Sequence, residues 1–133
     1  MTSPSPGAFE PPLVLIVDDN EQNVKLARDV LRAAGFRTLE AVTGVEGIAL
    51  AGEHLPDVIL MDLQLPDLDG TDAAKALGRA ARTERIPIVA LSAVPLEGGD
   101  WFLDAGFSGY LEKPISVTAF PEQVRRHVRR LTG

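Results

Sequence analysis

The sequence contains no cysteine and only two histidines, His54 and His127, in 133 residues. Without thiols there are no disulfides, no thiolate nucleophile and no cysteine-ligated zinc, and two isolated histidines make no imidazole metal pair. Both histidines are read as surface residues. Basic residues are in deficit, 13 Lys and Arg against 19 Asp and Glu for a net charge of −6. Binding to a nucleic-acid backbone relies on clustered cations, so no direct nucleic-acid contact is expected. No apolar run approaches the roughly 20 residues needed to cross a bilayer. The start, Met1-Thr2-Ser3-Pro4-Ser5-Pro6-Gly7, has neither the basic nor the apolar region of a secretory signal. The expectation is a cytoplasmic protein without membrane insertion.

What is present suits one α/β domain. Residues 1–12 hold four prolines and no apolar period and are read as a flexible leader, with the domain over 13–131. Leu13 to Val17, Val58 to Met61 and Ile88 to Leu91 are unbroken apolar runs, the mark of strands buried on both faces. Phe36 to Ala41 and Gly109 to Leu111 complete a set of five strands. Between them, Val24, Ala27, Leu31 and Ala34 recur at helical spacing up to Gly35, as do Ala73, Ala74 and Leu77 within 70–81. A short second helix is expected to turn Val45, Ile48, Ala49 and Gly52 inward, weakened by Gly47, and Pro121 opens a last helix with Val124, Val128 and Leu131 inward. Strands alternating with helices, joined by right-handed crossovers, predict a doubly wound five-stranded parallel sheet with helices on both faces.

Ligands of such sheets bind beyond the carboxyl ends of the strands. The first run ends in Asp18-Asp19-Asn20, the third in Asp62, the fourth in Ser92, and the fifth is followed by Lys113-Pro114. Four strand ends thus deliver three carboxylates, a hydroxyl and an amine to one edge. Carboxylates so close repel each other, and hard oxygen ligands without histidine or cysteine select a hard divalent ion, Mg²⁺ in an open cleft. With Lys113 as a second cation, the set suits phosphoryl transfer to a central carboxylate, Asp62.

On these motifs, Val17-Asp18-Asp19-Asn20, Met61-Asp62-Leu63-Gln64-Leu65-Pro66-Asp67-Leu68-Asp69-Gly70, Leu91-Ser92-Ala93 and Gly109-Tyr110-Leu111-Glu112-Lys113-Pro114, the chain resembles the response regulator receivers of two-component signalling. The resemblance covers about 13–131 and implies a flavodoxin-like sheet of order 2-1-3-4-5. It further implies Asp62 as phosphoacceptor, Asp19 and Asp62 as direct Mg²⁺ ligands, Asp18 acting through water, and the Gln64 carbonyl as another ligand. Ser92 and Lys113 would bind phosphoryl oxygens, Ser92 and Tyr110 would form the switch, and Lys113-Pro114 would be cis. The implied donor is a histidine kinase or a histidine phosphotransfer protein. The last helix is expected to run to Arg130 with no output domain after it, so output goes through an unidentified protein target. The chain would catalyse only its own phosphorylation and dephosphorylation.

Other readings of the same residues are open. Asp18-Asp19 could cap the first helix, and Arg125, Arg126, Arg129 and Arg130 could be a solvated helix face. A receiver that binds partners without phosphorylation is the runner-up function. A Mg²⁺ phosphohydrolase with an aspartyl nucleophile is a further alternative, although that class carries Asp-x-Asp after its first strand. The sequence departs from the family between Ser92 and Gly106, where Pro95, Gly98 and Gly99 occupy the start of a fourth helix and leave it marginal, with Trp101 in the same segment.

Overall fold

Alternate residues of the apolar runs pack on opposite faces of one parallel sheet. The computed structural model describes residues 11–93 and 101–128, with the side chains of Trp101 and Phe102 outside the description. Chain order is β1 (Leu13–Val17), α1 (Glu21–Ala33), β2 (Arg37–Ala41), α2 (Gly44–His54), β3 (Val58–Asp62), α3 (Gly70–Arg79), β4 (Ile88–Ser92), α4 (Trp101–Asp104), β5 (Gly109–Glu112) and α5 (Phe120–His127). The sheet order is β2-β1-β3-β4-β5, as expected. Its register pairs Val17 with Met61, Asp62 with Leu91 and Ser92 with Glu112, so the carboxyl ends of the strands lie along one edge.

On one face Val14, Ile16, Val58, Leu60, Val89 and Leu91 pack with Val24, Ala27 and Leu31 of α1 and Phe120 and Val124 of α5. On the other, Leu15, Val17, Ile59, Met61, Ile88 and Ala90 pack with Ala51 of α2, Ala73, Ala74 and Leu77 of α3, and Phe107. Every residue of β3 and β4 is buried, which is why these runs carry no polar alternation. Helix α1 ends where Gly35 adopts φ 97°, with the Gly35 and Phe36 N–H groups donating to the Arg32 and Leu31 carbonyls. This is a Schellman termination that needs the glycine.

Helix α2 lies differently from expectation. Val45 is 62% exposed and Ala49 is exposed, while Gly44, Gly47 and Ala51 are buried. A Cβ on Gly47 would sit 2.8 Å from Val17, so this glycine lets α2 approach β1 closely rather than merely weakening the helix. Helix α5 starts at Phe120, which is fully buried, and Val128 caps its end while still packing against the core. His127 is not a free surface residue: it is half-buried, and a Cβ on Gly109 would meet its ring at 2.6 Å. His54 is exposed, as expected. Arg125 keeps 41% of its side chain exposed beside Glu122, as a solvated face requires, and also reaches inward. Its guanidinium lies 5.0 Å from the Phe36 ring centroid and donates to the Ala34 carbonyl at 3.5 Å, joining α5 to the end of α1.

Of α4, one turn is described. Pro95, Gly98 and Gly99 lie outside the described residues, as do most of the leader, Arg129, Arg130 and Leu131.

Candidate functional site

Backbone hydrogen bonds between strand ends hold the edge together. The Asp18 N–H donates to Ala41 O, the Leu63 N–H to Leu91 O and the Lys113 N–H to Ser92 O, at 3.0, 3.2 and 2.8 Å. Side chains that leave the sheet just past these points meet in an open cleft of about 470 Å³, lined among others by Asp18, Asp19, Asp62, Gln64, Ser92 and Lys113. All the candidate residues except Tyr110 therefore line one cavity.

Asn20, not an aspartate, caps α1: its Oδ1 accepts the Asn23 N–H at 3.0 Å. Asp18 is only 1% exposed. Its Oδ1 accepts the Asn20 N–H at 2.9 Å, and its Oδ2 lies 2.9 Å from Lys113 Nζ. The capping reading of Asp18 is thereby replaced. Asp19 is exposed at the cleft rim. Asp62 Oδ1 accepts the Gln64 N–H at 3.0 Å, and its Oδ2 lies 3.2 Å from Lys113 Nζ. Lys113 thus bridges two carboxylates, and its peptide bond to Pro114 is cis.

Burial pushes the Asp62 carboxyl above its ordinary pKa, against the pull of the Gln64 N–H and of Lys113, with Asp18 adding repulsion. At Lys113 burial acts downward, but the hydrogen bond to Asp18 and the charges of Asp18 and Asp62 outweigh it and leave the ammonium above its ordinary value. Among the described residues, Asp18, Asp19 and Asp62 each offer a carboxylate oxygen within 4.8 Å of the others. Each such pair repels by about 3–4 kcal/mol at an effective dielectric of about 20. One ammonium offsets only part of this, so the cluster has capacity for a further cation. Oxygen-only donors beside an open cleft fit a hard, partly hydrated divalent ion.

Ser92 is buried at the end of β4 and Tyr110 half-buried on β5. The register pairs Ala90 with Tyr110, so Tyr110 shares a sheet face with Ala90 and Ser92 and packs against the core cluster on that side.

Two residues of the edge escaped sequence reasoning. Asn23, one turn into α1, lines the cleft beside Asp18. Asp67 receives the N–H groups of Gly44 and Val45 at 2.7 and 2.9 Å, a contact across 23 residues that no local spacing rule could signal.

Comparison with known proteins agrees with this geometry. The model of the response regulator receiver domain matches residues 14–125. The polar-differentiation response regulator DivK of Brucella anthropi is 40% identical over 119 residues, covering 89% of this chain and 97% of the relative. Its counterpart in Brucella ovis is 40% identical over 116 residues, or 86% and 94%. Coverage this complete means that the likeness spans whole domains. Among solved structures, the chemotaxis response regulator CheY4 of Vibrio cholerae superposes with a TM-score of 0.83 at 25% identity, covering 89% of this chain and 99% of that one. The receiver domain of a sensor histidine kinase from Pseudomonas aeruginosa, solved with a magnesium ion coordinated in its active site cleft, gives 0.79 at 33% identity, covering 88% and 97%. The chain therefore belongs to the response regulator receiver family of two-component signalling.

Proposed function

We propose that this domain, taken as residues 13–131, accepts a phosphoryl group on Asp62 from a histidine kinase or a histidine phosphotransfer protein, with Mg²⁺ as cofactor, and thereby switches conformation to control a partner protein. The observation that carries this reading is the Asp62 carboxylate itself. It is held at the end of the central strand β3 by the Gln64 N–H on one oxygen and by Lys113 on the other, inside an open cleft with Asp18 and Asp19 beside it.

In the transfer, an Asp62 oxygen attacks phosphorus and forms a P–O bond while the P–N bond to the donor imidazole breaks. The imidazole keeps that electron pair and takes up a proton. Asp18, Asp19, Asp62 and the Gln64 carbonyl would hold Mg²⁺, which when bound neutralises phosphoryl charge. Lys113, already 3.2 Å from Asp62, turns toward a second phosphoryl oxygen. The Ser92 hydroxyl takes a third, and its inward movement makes room for Tyr110 to rotate, so two discrete packings exchange. The protein catalyses only its own phosphorylation and dephosphorylation, the latter by water attacking phosphorus and releasing the Asp62 carboxylate and inorganic phosphate. Its acidic balance and the absence of a helix long and apolar enough to cross a membrane, among the described residues, favour a cytoplasmic protein target over nucleic acid or lipid.

The test is incubation with acetyl phosphate with and without Mg²⁺, followed by hydrogen exchange in the presence of beryllofluoride. Labelling is expected only with Mg²⁺ and is expected to be lost in Asp19→Ala, and protection is expected to change across 92–112. Equal labelling in a chelator, or in Asp19→Ala, would exclude the assigned metal set.

A further inference from the structure

The β3–α3 loop closes on itself directly beside Asp62. The Gly70 N–H donates to Leu63 O at 3.0 Å, and Gln64 and Asp69 face each other in an antiparallel bridge. The base of the loop therefore carries the Gln64 backbone. Its tip carries Asp67, whose two carboxylate oxygens accept the Gly44 and Val45 N–H groups at 2.7 and 2.9 Å. The remaining first-turn donor of α2, the Glu46 N–H, goes to Thr43 Oγ1 at 3.0 Å, and Glu46 in return accepts the Val42 N–H at 2.8 Å. Helix α2 thus already has a local cap, and Asp67 completes it from across the cleft rim. A Cβ on Gly44 would sit 3.0 Å from Leu68, so an apolar contact adjoins the polar one. The hydrogen bonds from Val45 and Gly44 hold the Asp67 carboxyl below its ordinary pKa, and its negative charge sits favourably at the helix N-terminus. At its other end α2 receives Arg82, which donates from Nε and Nη2 to Gly52 O at 3.0 and 2.9 Å. The helix is pinned at both termini by the segments flanking α3.

We propose that Asp67 is a positioning residue for the cation site: by latching the loop tip to α2 it fixes the Gln64 backbone at the cleft edge, so that metal binding does not have to order the loop. This rests on the Mg²⁺ and Asp62 reading above. It assigns Asp67 no contact with metal or phosphate. Residues hydrogen-bonded directly to metal ligands change metal affinity by about 10–100-fold when removed, and Asp67, one step further from the ligand, is placed at the low end of that range.

The test is Mg²⁺ titration by calorimetry on the full chain, with amide exchange at Gly44 and Val45 and labelling by acetyl phosphate over a Mg²⁺ series. Asp67→Ala is expected to weaken Mg²⁺ binding about tenfold, to speed exchange at both amides, and to slow labelling at low Mg²⁺ while reaching the wild-type rate at saturation. Asp67→Asn, which keeps one acceptor, is expected to fall between, and it serves alone if the alanine variant does not fold. Thr43→Ala, which removes the local cap without freeing the loop, is expected to lower Tm and leave Mg²⁺ affinity unchanged. Wild-type affinity in both Asp67 variants, beside a wild type that binds Mg²⁺ and takes label, overturns the inference alone. A wild type that does neither overturns the proposed function and this inference with it.

Discussion

Replacing Gly70 by alanine would place a methyl carbon 2.5 Å from the Asp62 carbonyl oxygen and 2.8 Å from the Leu63 Cα. Both are backbone atoms at the end of β3, so no side-chain rotation relieves the clash, and either the strand end or the start of α3 must move. Alanine is otherwise the better helix former by about 1 kcal/mol, and overpacking of this kind costs about 1–3 kcal/mol. The net loss expected is up to about 2 kcal/mol, or a Tm lower by up to about 8 °C for a domain of this size. Gly78, in the same helix, has nothing within 4 Å of an added Cβ. Gly78→Ala is therefore expected to gain up to about 1 kcal/mol. Because the clash lies on Asp62 itself, Gly70→Ala is also expected to slow labelling by acetyl phosphate, since misplacement by about 1 Å can cost about 100-fold. Thermal melts of both variants, with labelling measured well below either Tm, form the assay. A Gly70→Ala protein as stable as wild type and labelled at its rate would refute the reasoning.

Three further outcomes follow from the packing and the charges. Asp62 has its pKa raised by burial, so its ionisation weakens the fold as pH rises through that value. In metal-free buffer Asp62→Asn is expected to melt above wild type at neutral pH, with the gap closing as pH falls through the raised value toward 3.8, and denaturation over a pH series checks it. Lys113 has its pKa raised, so its stabilising contribution is fully present below 10.5 and lost as pH rises through the folded value; the Tm deficit of Lys113→Met should hold at neutral pH and shrink in strong alkali. Phe120 is fully buried between α1, α5 and the sheet, and Phe120→Ala is expected to cost about 3–5 kcal/mol by chemical denaturation.

The sheet was legible because its central strands are buried on both faces and so appear as unbroken apolar runs, and their ends at Asp18, Asp62 and Ser92 pointed to the site directly. The apolar pattern misplaces the buried face of helix α2 because two of its buried positions, Gly44 and Gly47, have no side chain to count, while the apolar Val45 lies in solvent. Asp67 carries no local signal, because its partners lie 23 and 22 residues away. The packing of His127 against Gly109 was missed for the same reason as Gly47: a close approach is recorded in sequence only as a missing side chain. Asp18 was ambiguous until Asn20 proved to be the cap, which freed the carboxylate for Lys113.

We predict that Asp62 alone takes the phosphoryl group. The most direct test is mass spectrometric mapping of the acyl phosphate, trapped by borohydride, after treatment of the full chain with acetyl phosphate and Mg²⁺. One modified residue, Asp62, is expected in the wild type and none in Asp62→Asn. Trapping at Asp18 or Asp19, or undiminished modification of Asp62→Asn, would contradict the account.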